Sequence, residues 1–224
     1  RDAVTIPISV SCPPLSREKI EQLVDIGVDR MGVSLDTATE EVFDKIKGEC
    51  VGGLHTWNDY FDALDFACRY FKRNKVVAHL IVGLGETEME MLRLINRLHR
   101  MSVNPALFAF TPIPGTLMEK CPRPSIASYR RIQLARYLII EGYTQLEKMT
   151  FDAGGRITDL GVASGVLRRI VLTGEPFVTA GCPDCNRPYY NENPSGPIYN
   201  YPRPLRSEEI QKAGGQLGDD FKVW

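Results

Sequence analysis

The apolar run His79-Leu80-Ile81-Val82 stops at Gly83 and Gly85, and Glu86-Thr87 then opens a stretch in which Met91, Leu94, Ile95 and Leu98 recur at helical spacing. Strand, glycine turn and amphipathic helix in that order make one unit of an α/β fold, and the same alternation runs along much of the chain. Val4 to Val10 alternates like a strand and breaks at Cys12-Pro13-Pro14. Ser16 then caps a helix carrying Ile20, Leu23 and Val24, with Gly27 at its left-handed end. Val28 to Leu35 predicts the next strand, and Thr37 with Glu40 has the spacing of a capping box for a short helix. Thr56 starts a longer helix whose Tyr60, Leu64, Ala67, Cys68 and Phe71 share a face, and Lys75 to Val82 returns as strand. Ala106 to Phe110 predicts a further strand, Thr111 to Thr116 a loop, Ser125 to about Glu141 a helix, and Gln145 to Thr150 a fifth strand.

Strands alternating with helices at this spacing imply parallel pairing with right-handed crossovers. Five such units are too few to close an eight-unit barrel. Residues 1–152 therefore read as part of a TIM-type (β/α) barrel with parallel strands, its first units missing, so the chain reads as a fragment. Residues 153–224 read as a C-terminal extension that wraps the barrel: a helix near Leu160 to Leu172, a stretch dense in Pro, Tyr and Asn, and a peripheral segment from Glu208 to Trp224. In parallel α/β folds the strands' carboxyl ends carry the chemistry. Cys12, Asp36, Gly83 to Glu86, Thr111 to Gly115 and Asp152 to Arg156 are expected to gather there.

Composition narrows the functions more than it chooses among them. With 27 Lys+Arg against 28 Asp+Glu in 224 residues, no bulk charge draws the chain to nucleic acid or to an anionic membrane. No apolar run reaches the length of a membrane span, and the amino terminus lacks the pattern of a signal peptide, so a cytoplasmic protein is expected. Six scattered cysteines in a chain of this size suggest reduced thiols or metal ligands rather than a disulfide framework. His55, His79 and His99 have no partner at metal spacing, which disfavours zinc hydrolysis, and neither a phosphate-binding Walker loop nor a nucleophile elbow is present. Cys182 and Cys185 form a Cys-x-x-Cys turn that brings two thiolates to one point; Cys12 is a candidate third ligand. An Asp at a strand end such as Asp36 also commonly caps the next helix, Glu86 can cap its own turn, and Arg156 reads equally as a surface side chain or as a partner for a carboxylate or a cluster sulfide.

The segments Ser34-Leu35-Asp36-Thr37, Thr56-Trp57, Ile81-Val82-Gly83-Leu84-Gly85-Glu86-Thr87 and Pro114-Gly115-Thr116 resemble, in order and spacing over residues 4–150, the radical S-adenosylmethionine (SAM) superfamily, close to biotin synthase. The resemblance implies that Asp36 lies near the ribose of SAM, Ile81 through Gly83, Gly85 and Glu86 under its adenine, and Ser34 near SAM and substrate. His55 stands where relatives often carry Arg. Gly181-Cys182-Pro183-Asp184-Cys185 and Gly196 to Pro202 resemble the carboxyl end of two-component, archaeal-type lipoyl synthases. That implies sulfur insertion into an octanoyl group on a lipoyl-carrier protein or peptide, a homologous partner subunit, an electron donor such as ferredoxin, and an auxiliary 4Fe-4S cluster at the cysteine pair. The Cys-x-x-x-Cys-x-x-Cys loop that holds the family's SAM-cleaving 4Fe-4S cluster does not occur in this sequence, so the chain alone is expected to be inactive. The alternatives are another biotin synthase-like radical SAM enzyme and a noncatalytic metal-binding scaffold subunit; the cluster loop upstream of Arg1 would separate enzyme from scaffold.

Overall fold

Burial alternates along the central strands in the way the sequence periodicity requires. In β2 (Arg30–Asp36), Met31, Val33 and Leu35 are fully buried while Arg30, Ser34 and Asp36 are only half-covered, and in β3 (Val76–Val82) Ala78, Leu80 and Val82 are buried. These strands join β1 (Ser9–Cys12) and β4 (Asn104–Ala109) in a four-stranded sheet of order β1-β2-β3-β4. Neighbours run parallel, with Ser11 opposite Gly32, Gly32 opposite Val77, and Asp36 opposite Leu80 after a register shift. The computed structural model describes residues 6–181, 185, 196–218 and 220–221. Val4 and Thr5, the start of the stretch expected as the first strand, lie outside these residues; among those described the strand begins at Ser9 and runs two residues past Val10, to Cys12.

The chain packs as two compact units. In the first, residues 1–81 and 97–106, helices α1 (Arg17–Asp25), α2 (Glu40–Ile46) and α3 (Trp57–Tyr70) follow the strands. Ile20, Leu64 and Ala67 are wholly buried, and α1 packs on α3 and α3 on β2, so the apolar helical stripes cover the apolar face of the sheet. Thr56 caps α3 with a complete capping box to Asp59. The cap of α2 is Thr39, which accepts a hydrogen bond from Val42 N at 3.2 Å, and not Thr37. Asp36 adopts φ +68° and turns the chain so sharply that Thr37 and Ala38 are spent leaving the strand before the helix can start.

In the second unit, residues 82–96 and 107–224, helix α4 (Glu88–Arg100) begins just after the glycine turn, and α5 (Ile126–Ile140) is capped by Ser125 as its sequence predicts. Gln145 to Thr150 does not form a fifth parallel strand. A single 3-10 turn occupies Leu146–Lys148, and β5 (Thr150–Phe151) pairs antiparallel with β6 (Ile157–Asp159) in a small separate hairpin. The Asp152 carboxylate closes that hairpin by accepting from Gly154 N and Arg156 N, both at 2.9 Å, an Asx turn that favours reversal over extension. After α6 (Ser164–Thr173), the helix α7 (Ser207–Gly215) is not peripheral: Ala213 and Leu217 are wholly buried and Phe221 nearly so. Between them Tyr199 and Tyr201 are buried, and Tyr201 bridges to Val178. Tyr189, Tyr190 and Trp224 lie outside the described residues. No helix among the described residues is long and apolar enough to cross a membrane.

Candidate functional site

In the first unit the candidate residues centre on the end of β2. Asp36 Oδ2 accepts from Lys47 Nζ at 2.7 Å, and the same ammonium donates to the Ser34 carbonyl at 2.5 Å. Lys47 is the residue on which α2 ends, so the short helix returns a cation to the strand end it left eleven residues earlier. Both side chains are about one-fifth exposed, and Asp36 Oδ1 accepts no hydrogen bond among the described residues. The Lys47 ammonium also lies 4.7 Å from the centroid of the Tyr60 ring, on which His55 packs edge-on at 6.2 Å. Asp36, Ser34 and His55 are thus brought into one contact chain through Lys47 and Tyr60, neither of which the sequence singled out. His55 also lines a cavity of about 390 Å³ with Arg17, Asp59, Asp62 and Phe66. Cys12, at the end of β1, directs its Sγ toward the Gly32 carbonyl at 3.8 Å, and burial pushes its thiol pKa up, away from the thiolate that ligates iron.

In the second unit the turn after β3 is built by its own acid. Glu86 accepts from Gly83 N at 2.7 Å and Leu84 N at 2.9 Å, while burial lifts its carboxyl above the usual range against the pull of those donors. Gly83 and Gly85 both have positive φ, +104° and +117°. A Cβ on Gly83 would meet Pro124 Cδ at 2.9 Å, whereas one on Gly85 would meet nothing within 4 Å. The first glycine is needed for packing; the second keeps an open edge of backbone where a flat ligand can approach. Thr87 and Glu90 form a reciprocal cap on α4, and Gly155 of the hairpin turn packs against Thr87. Glu88, at the first position of α4, is buried. It receives Arg131 Nε and Nη2 and Ile157 N, and Arg131 Nη1 donates to the Leu217 carbonyl at 3.1 Å. Arg156, by contrast, spends its guanidinium on Asp220 at the surface.

The tail is held by α5. Arg130, wholly buried, donates to the carbonyls of Ile198 and Tyr199 and to Gln216, with the rings of Phe177 and Tyr201 beside its guanidinium. Tyr199 Oη donates to the Pro124 carbonyl at 2.8 Å, and Pro124 is the residue packed on Gly83. Cys182 lies outside the described residues; Cys185 is a half-buried free thiol. Among the described residues, which leave out Cys182, no three His, Cys, Asp or Glu side chains form a group able to hold a metal.

Residues 2–98 match the model of the radical SAM superfamily. Over 175 residues the chain is 29% identical to a biotin synthase of Cenarchaeum symbiosum, covering 75% of this chain and 52% of that protein. It is 29% identical over 195 residues to a biotin synthase of Mycolicibacterium paratuberculosis (82% and 51% covered) and 26% identical over 195 residues to one of Salinispora arenicola (82% and 53%). The chain spans about half the length of the curated relatives it matches.

Proposed function

From the premise that this chain is a radical SAM, biotin synthase-like protein, we propose that it is part of an enzyme that inserts sulfur at unactivated carbon, a component of a two-component lipoyl synthase. Its substrate is an octanoyl group on a carrier protein or peptide, and its partner is a homologous subunit. The observation that carries the radical SAM reading is Asp36, held at a positive φ with one oxygen fixed by Lys47 and the other open. The lipoyl synthase reading rests on the tail motif around Cys182 and Cys185 alone. Another biotin synthase-like reaction is the second reading, favoured by the names of the relatives.

SAM, when bound with a reduced cluster, supplies the radical that removes hydrogen from carbon. The chain's own residues do the holding. Lys47 fixes one Asp36 oxygen so that the other can accept from ribose hydroxyls without the side chain rotating. Ile81 and the glycine edge offer apolar and unhindered backbone surface to the base, and Glu86 holds the turn in shape by accepting from Gly83 N and Leu84 N.

Two measurements test this reading. Asp36→Ala in the full-length protein is expected to weaken SAM binding about ten- to a hundredfold by calorimetry, the usual worth of hydrogen bonds to a charged group. Unchanged affinity would remove Asp36 from the cofactor site. For the tail, Cys182→Ala combined with Cys185→Ala should remove about four irons from the anaerobically purified protein with its partner, while SAM cleavage persists. Full iron content together with continued sulfur insertion would reduce the pair to structural thiols and take away the lipoyl synthase reading.

A further inference from the structure

The face of the sheet opposite Met31, Val33 and Leu35 carries a polar group that the cofactor residues do not use. By strand alternation Arg30, Gly32 and Ser34 share this face. The His79 ring lies over Gly32, with Cε1 and Nε2 3.1 Å from where a Cβ would sit. His79 Nδ1 is 3.5 Å from Ser11 Oγ, and Ser9 is registered opposite Arg30. Three strands therefore bring Ser11, Arg30 and His79 to one half-open surface, and Gly32 is what leaves room for the imidazole.

Arg30 is the unusual member. Its Nε is buried and has no hydrogen-bond partner, and among the described residues its guanidinium makes no ion pair. The residue as a whole is half-covered, whereas the two fully buried arginines among the described residues are spent on named acceptors, Arg130 on carbonyls and Arg131 on Glu88. A buried guanidinium donor left unmade is costly, and arginine's planar fork matches the two oxygens of a carboxylate. Ser11 and His79 add hydroxyl and imidazole donors on the same surface.

We propose that Arg30, with Ser11 and His79, forms a carboxylate-binding subsite on the open face of the sheet, taking an acidic side chain of the octanoylated carrier or, on the second reading above, the carboxylate of a free acid substrate. It rests on the reading above only in taking this face as the substrate side. The subsite orients the ligand and takes no part in bond making.

The test uses the purified full-length protein and two pairs of probes, measured by calorimetry. Octanoate is compared with octanamide, and a neutral octanoyl-lysine peptide with the same peptide carrying one glutamate. The charged member of at least one pair is expected to bind about tenfold to a hundredfold more tightly. Selectivity in the first pair assigns the carboxylate to the substrate, and selectivity in the second to the carrier. Arg30→Gln should abolish that selectivity and leave the urea midpoint unchanged or higher, because the group removed has no partner to lose. No selectivity in either pair, selectivity that survives Arg30→Gln, or inorganic phosphate binding more tightly than either charged probe would overturn the proposal. SAM affinity measured on the same samples keeps the two readings apart: intact Arg30-dependent selectivity without SAM binding would sink the radical SAM reading and leave the subsite standing.

Discussion

Arg131→Met is expected to lower the stability of the protein by about 3–5 kcal/mol, the usual cost of removing one partner from a buried ion pair. Glu88 is 7% exposed and would keep only Ile157 N as a donor at 2.9 Å, leaving a carboxylate in a site that water does not reach. The Leu217 carbonyl would lose its donor as well. Four segments meet at this pair: the start of α4, the middle of α5, the β5–β6 hairpin and the chain beyond α7. The damage should therefore be cooperative rather than confined to one loop. Adding Glu88→Leu to Arg131→Met removes the stranded charge and fills the space with apolar volume, so the double variant should be more stable than Arg131→Met alone. Urea midpoints decide the matter. A double variant as weak as the sum of the two single ones would mean that the two side chains contribute independently and that no charge is stranded in Arg131→Met, against expectation.

Gly83→Ala carries the second large effect. A methyl at φ +104° is strained in itself, at about 1–3 kcal/mol, and here it also meets the Pro124 ring, where overpacking adds about 1–3 kcal/mol. Gly85→Ala is the control: its φ of +117° brings the strain, but nothing stands within 4 Å of the new methyl. Gly83→Ala should be the less stable of the two by denaturation. Gly85→Ala should be the more harmful to SAM binding, since its methyl would project into the edge left open for the ligand. Equal stability losses would show that Pro124 yields freely, and undiminished SAM affinity in Gly85→Ala would show that the open edge is not where the cofactor lies.

Periodicity made the first unit readable because each of its strands has one face against helices, so burial leaves a clean alternation in Met31, Val33 and Leu35. The end of α2 was not readable in that way. Lys47 looks like any helix-terminal lysine, and its pairing with Asp36 depends on the chain folding back. Gln145 to Thr150 misled because a short mixed-polarity run is compatible with strand or turn; the Asp152-x-Gly154 reversal behind it, with Ile157 and Asp159 beyond, signalled a hairpin. Ala213, Leu217 and Phe221 are buried although only Ala213 lies within α7, and the polar residues between them gave the segment a peripheral look. Arg131 and Glu88 are 43 positions apart and nothing in either neighbourhood points to the other. Strand-end reasoning picked out Asp36 and Gly83 to Glu86 as candidates, and resemblance alone tied them to SAM; the structure joins Lys47 and Tyr60 to Asp36.

Arg130 grips the tail by the carbonyl oxygens of Ile198 and Tyr199, atoms that every residue type possesses. What it reads is the course of the main chain, not its side chains. Ile198 is therefore free to drift under mutation while the path through that point is preserved, whereas Arg130 is not: lysine could reach one carbonyl but not both. Selection on this segment should fall on the holder far more than on the held.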